Sequence, residues 1–165
     1  MKPTICIIDD SEITRELLSY SIKNEFDVNI IQFDSYESAK EEISAIKPSI
    51  VVLDYNLSLK NKKNKNGDFA LKKLKKDASV IMLSGQNDKS KSVELLLNGA
   101  VDYISKNEEE FLSEILNSIK SIFEMHKYKQ QEIKEEIKIT KSIAKVITGL
   151  ELGILILSIT YFLNN

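Results

Sequence analysis

The sequence predicts an α/β fold, a parallel sheet with helices on both faces, and three observations carry that prediction. Short apolar runs rich in β-branched residues recur five times in the first two thirds of the chain. Stretches with helical periodicity separate them, the alternation that specifies parallel βαβ units. Each run also stops abruptly at a polar or charged residue. Right-handed crossovers bring the carboxyl ends of such strands to one edge of the sheet, so those terminal residues are expected to be neighbours.

Thr4 to Ile8 is the first run, followed by Asp9 and Asp10. Ser11 has the residue type and position of an N-cap for a helix to about Glu25, with Ile13, Leu17, Leu18 and Ile22 as its expected buried stripe. Val28 to Phe33 is the second strand. A helix capped by Asp34 or Ser35 follows, carries Ala39, Ile43 and Ile46, and must stop before Pro48. Ile50-Val51-Val52-Leu53 is the most apolar strand and ends in Asp54. A carboxylate at the carboxyl end of a buried strand lies where open α/β sheets place ligands.

Residues 56–67 form a polar, lysine- and asparagine-rich loop closed by Gly67, before a short helix with Phe69, Ala70, Leu71 and Leu74. Ser79 to Leu83 is the fourth strand and ends in Ser84-Gly85. A helix over about Lys89 to Asn98 carries Val93, Leu96 and Leu97. Val101 to Ser105 is the fifth strand, closed by Lys106. Asn107 and Glu108-Glu109-Glu110 suit the start of a fifth helix, where negative charge favours the macrodipole.

Composition narrows the function. At 165 residues there is room for one ordinary domain and an appendage. A net charge of -2 gives no reason to expect a nucleic-acid partner, and there is neither a Walker-type phosphate loop nor a Cys/His zinc cluster. The single cysteine, Cys6, lies inside an apolar run; it is expected in the core and points to a reducing compartment.

Asp9, Asp10, Asp54, Ser84 and Lys106 should therefore share one edge. Three converging carboxylates call for a cation, and a hard divalent ion such as Mg2+ takes oxygen ligands of this kind. Lys106 supplies a point charge for a phosphoryl oxygen and Ser84 a hydroxyl donor. With a carboxylate nucleophile, these make a site for accepting a phosphoryl group.

The same residues resemble the receiver domain of two-component response regulators, over residues 4 to about 124. That resemblance implies a flavodoxin-like sheet of order 2-1-3-4-5. It implies Asp54 as phosphoacceptor, with Asp10, Asp54 and the backbone carbonyl of Asn56 holding Mg2+ directly and Asp9 acting mainly through water. It makes Ser84 the switch hydroxyl, Lys106 the charge sensor and Tyr103 the switch aromatic. It implies a sensor histidine kinase or phosphotransfer protein as donor, and an unidentified downstream protein as target. Three departures stand out: Asn107 where the family usually has proline, Leu57-Ser58 where Met-Pro is common, and a late Gly67 implying an inserted loop. No enzymatic turnover is expected, since a phosphatase-type hydrolase would need a cap domain. A phosphorylation-independent scaffold is the competing class.

Beyond the receiver (1–124), residues 125–145 are expected to be a helical stalk. Leu112, Leu116, Ile119, Phe123, His126, Gln130, Ile133, Ile137, Thr140, Ala144 and Ile147 recur at alternating spacings of four and three. This is a heptad seam through which two copies could pair as a homodimer, or else one face of a lone amphipathic helix. Val146 to Leu163 is almost uniformly apolar, near the lower limit of roughly 17–25 residues for a membrane span. Lys138, Lys141 and Lys145 would mark its cytoplasmic side, giving a receiver anchored to the cytoplasmic membrane by its C-terminus. Glu151 is the one charge in that run; the alternative is a helix packed on a partner, with Glu151 paired there.

Overall fold

The structure is a computed structural model that describes residues 2–57, 67–85 and 89–163. The inserted loop expected after Leu57 lies outside the described residues. Five strands alternate with five helices: β1 Thr4–Ile8, α1 Glu12–Glu25, β2 Asn29–Phe33, α2 Tyr36–Ile46, β3 Ile50–Asp54, α3 Gly67–Leu74, β4 Ser79–Ser84, α4 Lys89–Leu97, β5 Asp102–Ser105 and α5 Phe111–Leu163. All strand pairs are parallel and the sheet order is β2-β1-β3-β4-β5, the flavodoxin-like arrangement that the family resemblance implies.

Every residue of β3 is buried, as befits the central strand of a sheet covered on both faces. Side chains alternate. Cys6, Ile8, Val51, Leu53, Val80 and Met82 join Ala39 and Ile43 of α2, Ala70, Leu71 and Leu74 of α3, and Leu95 of α4 in one cluster. The other face holds Ile5, Ile7, Val52, Ile81 and Leu83, all fully buried. Right-handed crossovers leave that face to α1 and α5, which bury Leu18, Ile22, Ile115, Ile119 and Ile122. Each fully buried isoleucine contributes on the order of 1.5–3 kcal/mol. Cys6 belongs to this core, and burial, with Glu42 adding to it, pushes its thiol up to about 12.

Two helices, α1 and α5, differ from expectation. On α1, Ile13 is 82% exposed and Leu17 40%, while Leu18, Ser19 and Ile22 are buried. The Ser11 cap accepts from Thr14 N, and Arg15 Nη1 donates to the Asp9 carbonyl at 2.7 Å, tying the first turn of the helix to the end of β1. On α4, the buried residue is Leu95, and Val93, Leu96 and Leu97 face outward. The fifth helix begins at Phe111; residues 107–110 are tight turns, with Phe111 N bonded to the Glu108 carbonyl at 3.2 Å. Its buried stripe is Ile115, Ser118, Ile119 and Ile122, offset from the heptad seam, which shares only Ile119 with it.

The chain divides into two compact units, Met1–Ile122 and Phe123–Asn165. The second is helical, and its apolar side chains are exposed, from Ile133 and Ile137 through Val146 to Leu163.

Candidate phosphoryl-acceptor site

Parallel pairing sets the geometry at the carboxyl edge. Register places Asp54 beside Leu83 and Ser84 beside Ser105, so the polar residues ending β3, β4 and β5 come level. Asp9 follows β1 directly; its amide donates to the Phe33 carbonyl at 3.1 Å, and its Oδ1 accepts from Ser11 N at 2.9 Å. Carboxylate oxygens of Asp9, Asp10 and Asp54 lie within 4.8 Å of one another. Asp9 and Asp54 are buried and Asp10 is the most open of the three.

Lys106 closes the cluster. Its Nζ lies 2.5 Å from Asp9 Oδ2 and 2.7 Å from Asp54 Oδ1. Burial pushes the Asp54 carboxyl above the ordinary carboxylate range; Lys106 pulls it down, and Asp9 and Asp10 push it up again. Burial alone would lower Lys106, but Asp54 and Asp9 together hold it above its usual value. Desolvation outweighs the one ammonium at Asp54, whereas at Lys106 the two carboxylates outweigh desolvation.

The loops carrying these groups are tied together. Lys106 N donates to the Ser84 carbonyl at 2.7 Å, and Tyr55 N to the Leu83 carbonyl at 2.7 Å. Asn107, standing where the family usually has proline, donates from Nδ2 to the Gly85 carbonyl. The lysine loop is thereby fastened to the end of β4 by a side chain. Ser84 is buried at that strand end, Asn56 is exposed one turn beyond Asp54, and Tyr103 is half-buried against the core from the edge strand β5.

A second cluster, which the sequence did not reveal, lies behind Asp54. The Lys91 ammonium is 4.9 Å from the centre of the Tyr55 ring, 3.2 Å from Asp68 Oδ2 and 3.1 Å from Glu94 Oε2. The Tyr55 hydroxyl lies 3.4 Å from the same Asp68 oxygen. Hydrogen bonding to Tyr55, opposed by desolvation and reinforced by Glu94 and Asp68, raises the Lys91 pKa above its ordinary value. This network joins α3, α4 and the residue after Asp54. Beside it, a Cβ on Gly67 would stand 2.8 Å from Tyr55 Cα and 3.0 Å from the Asp54 carbonyl oxygen, so only glycine lets α3 start there. Asp68, Lys91 and Glu94 are 13, 36 and 39 positions from Tyr55, and only Lys91 and Glu94 share a local helical spacing, so no sequence signal tied them to Tyr55. Lys91→Met is expected to lower the unfolding free energy by about 1–2 kcal/mol, as read from urea denaturation, because Asp68 and Tyr55 lose a half-buried cation.

The three carboxylates suit a divalent cation: the donors are all oxygens, they converge within bonding reach of one small ion, and they carry more negative charge than Lys106 neutralises.

Fold and site together define a class, and sequence comparison agrees: residues 5–120, well over half of the chain, match the response regulator receiver domain. The chain belongs to that family. A curated relative, the sensory transduction protein LytT of Bacillus anthracis, is 30% identical over 162 residues, covering 94% of this chain and 62% of the relative. LytT of Bacillus cereus is 29% identical over the same shares, so the chain spans less than two thirds of the length of these relatives. Among solved structures, the response regulator domain of Thermotoga maritima CheB is 28% identical with a TM-score of 0.62, over 74% of this chain and 96% of that one. The BeF3-activated N-terminal receiver domain of Klebsiella pneumoniae RstA shares the fold at 21% identity and a TM-score of 0.61, over 71% and 95% of the two chains.

Proposed function

We propose that this receiver accepts a phosphoryl group on Asp54 from a histidine kinase or phosphotransfer protein, and that it does so on the cytoplasmic face of a membrane. The observation that supports it best is the pairing of a buried carboxylate, Asp54, with Lys106 at 2.7 Å inside a three-acid cluster. An Asp54 oxygen attacks the phosphorus of a phosphohistidine. The P–O bond forms as the P–N bond breaks, and the imidazole nitrogen leaves with the electron pair and takes a proton from water. Lys106 then transfers its charge from the carboxylates to a phosphoryl oxygen, and Ser84 offers a hydroxyl to another. Asp10, Asp54 and the Asn56 carbonyl would hold Mg2+, with Asp9 acting through water; when bound, the ion neutralises the charge on the incoming phosphoryl oxygens. The donor docks on α1, which starts beside Asp9 and exposes Ile13, Leu17 and Tyr20 as one apolar stripe.

Incubation with acetyl phosphate and Mg2+, followed by intact-mass measurement, is expected to add one phosphoryl group to the chain. No mass gain would leave the scaffold reading in its place.

The membrane assignment draws on α5. One stretch of that helix is long and apolar enough to cross a bilayer, and none of it is buried. Its hydroxyls are satisfied within the helix: Thr148 bonds the Ala144 carbonyl, Ser158 that of Leu155, and Thr160 those of Ile156 and Leu157. Glu151 lies near the start of the span, where an acid costs less than the roughly 2.5–3.5 kcal/mol of the bilayer centre. The full chain is expected to pellet with membranes through carbonate extraction, and a chain ending at Lys145 to stay in the supernatant. Equal behaviour of the two would remove the anchor.

A further inference from the structure

We propose that Lys138, Lys141 and Lys145 form a binding face for anionic phospholipid headgroups, so that the chain gathers acidic lipid on one side of α5. The proposal rests on the membrane reading of α5 given above.

The charge on this part of the helix is segregated. At about 100° per residue, these three lysines and Lys134 fall within a sector of roughly 60°. Together with Ile137 and Ser142 they line one shallow groove. Glu132 and Glu136 fall on the opposite side of the helix and Glu135 on its flank. From Ile137 to Leu150 the chain has no acidic residue. Among the described residues, none of the four lysines forms an ion pair. Ser142 donates its hydroxyl to the Lys138 carbonyl at 3.0 Å and so does not engage the lysine ammoniums.

Distance then decides which lysines matter. A helix rises about 1.5 Å per residue, so Lys145 adjoins the apolar run, Lys141 lies about 7.5 Å before its first residue, Lys138 about 12 Å and Lys134 about 18 Å. A headgroup layer is about 5–7 Å deep. Beyond it, charge is screened over a Debye length of about 8 Å at physiological salt. Lys145 and Lys141 therefore stand in or at the headgroups and Lys138 within their field, while Lys134 is outside. Basic residues at such depths attract acidic lipid, each contributing measurably near the surface.

The test reconstitutes the full chain in phosphatidylcholine vesicles carrying a trace of spin-labelled phosphatidylglycerol or spin-labelled phosphatidylcholine. The fraction of motionally restricted label gives the relative association of the two lipids. Phosphatidylglycerol is expected to be preferred at least about threefold. Lys138→Gln/Lys141→Gln/Lys145→Gln should bring the ratio to about one, and Lys134→Gln should leave it unchanged. Equal association of both lipids with the unmodified chain, an unaffected triple variant, or the same loss in Lys134→Gln would overturn the proposal. Displacement of the labelled lipid by an equal concentration of inorganic phosphate would overturn it too, because a soluble anion would then be the ligand. Absence of a restricted component with either lipid would mean that the span itself fails, a different result from loss of selectivity alone.

Discussion

Asp54→Asn is expected to abolish phosphoryl acceptance and, at the same time, to make the folded protein more stable. The first effect follows from losing the nucleophilic carboxylate: an amide oxygen cannot form the acyl phosphate, and intact mass after acetyl phosphate treatment should stay at the starting value. The second follows from burial. Desolvation holds the Asp54 carboxyl above the ordinary carboxylate range despite Lys106. In the window between the ordinary value and the raised one, the unfolded chain has released a proton that the folded chain keeps, so stability falls as pH rises through it. At neutral pH the ionised Asp54 is a net burden on the fold. Asparagine removes that charge and keeps the shape. Urea unfolding without divalent cation should show a gain of the order of 1 kcal/mol at about pH 7 that shrinks in acid. A loss of stability at pH 7 would contradict this.

Lys106→Met is expected to act in the opposite direction and more strongly. Lys106 touches both Asp9 and Asp54, whose side chains are 1% and 4% exposed. Removing the cation leaves two buried carboxylates facing each other, and breaking a buried pair from one side costs about 3–5 kcal/mol. Some of that should return when a divalent cation is added, since the same oxygens then have a counter-charge. Phosphoryl acceptance should fall by about 10²–10³-fold, the usual effect of deleting one donor to a developing oxyanion. Urea midpoints with and without Mg2+, and the rate of mass gain with acetyl phosphate, separate the two effects. An unchanged midpoint would show that Lys106 does not neutralise the pair.

Much of this site was legible before any coordinates. The runs ending at Ile8, Asp54, Ser84 and Ser105 are short and strongly apolar, and a parallel sheet has one carboxyl edge, so Asp9, Asp54, Ser84 and Lys106 could be placed together from chain order alone. Helix faces were harder to place. Ile13 and Leu17 suit a buried stripe by spacing, yet Leu18, Ser19 and Ile22 are the residues α1 buries, which leaves Ile13 and Leu17 outward. On α5 the heptad seam and the stripe packed in the domain are two faces of one helix, and period alone does not tell them apart. Tyr55, Asp68 and Lys91 meet only through tertiary packing. Asn107 was visible as a departure from the family, but its bond to Gly85 was not.

The bond between Lys106 and Asp9 joins residues 97 positions apart. During synthesis the acids of β1 and β3 leave the ribosome long before the residue that neutralises them. Contacts between distant residues also form slowly, because loop closure must come first. Until β5 docks on the edge of the sheet, the nascent chain carries its carboxylates without their cation and has no completed pocket to offer a donor. The paired cluster is therefore a property of the finished sheet, complete only when β5 stands beside β4 and Lys106 reaches both acids.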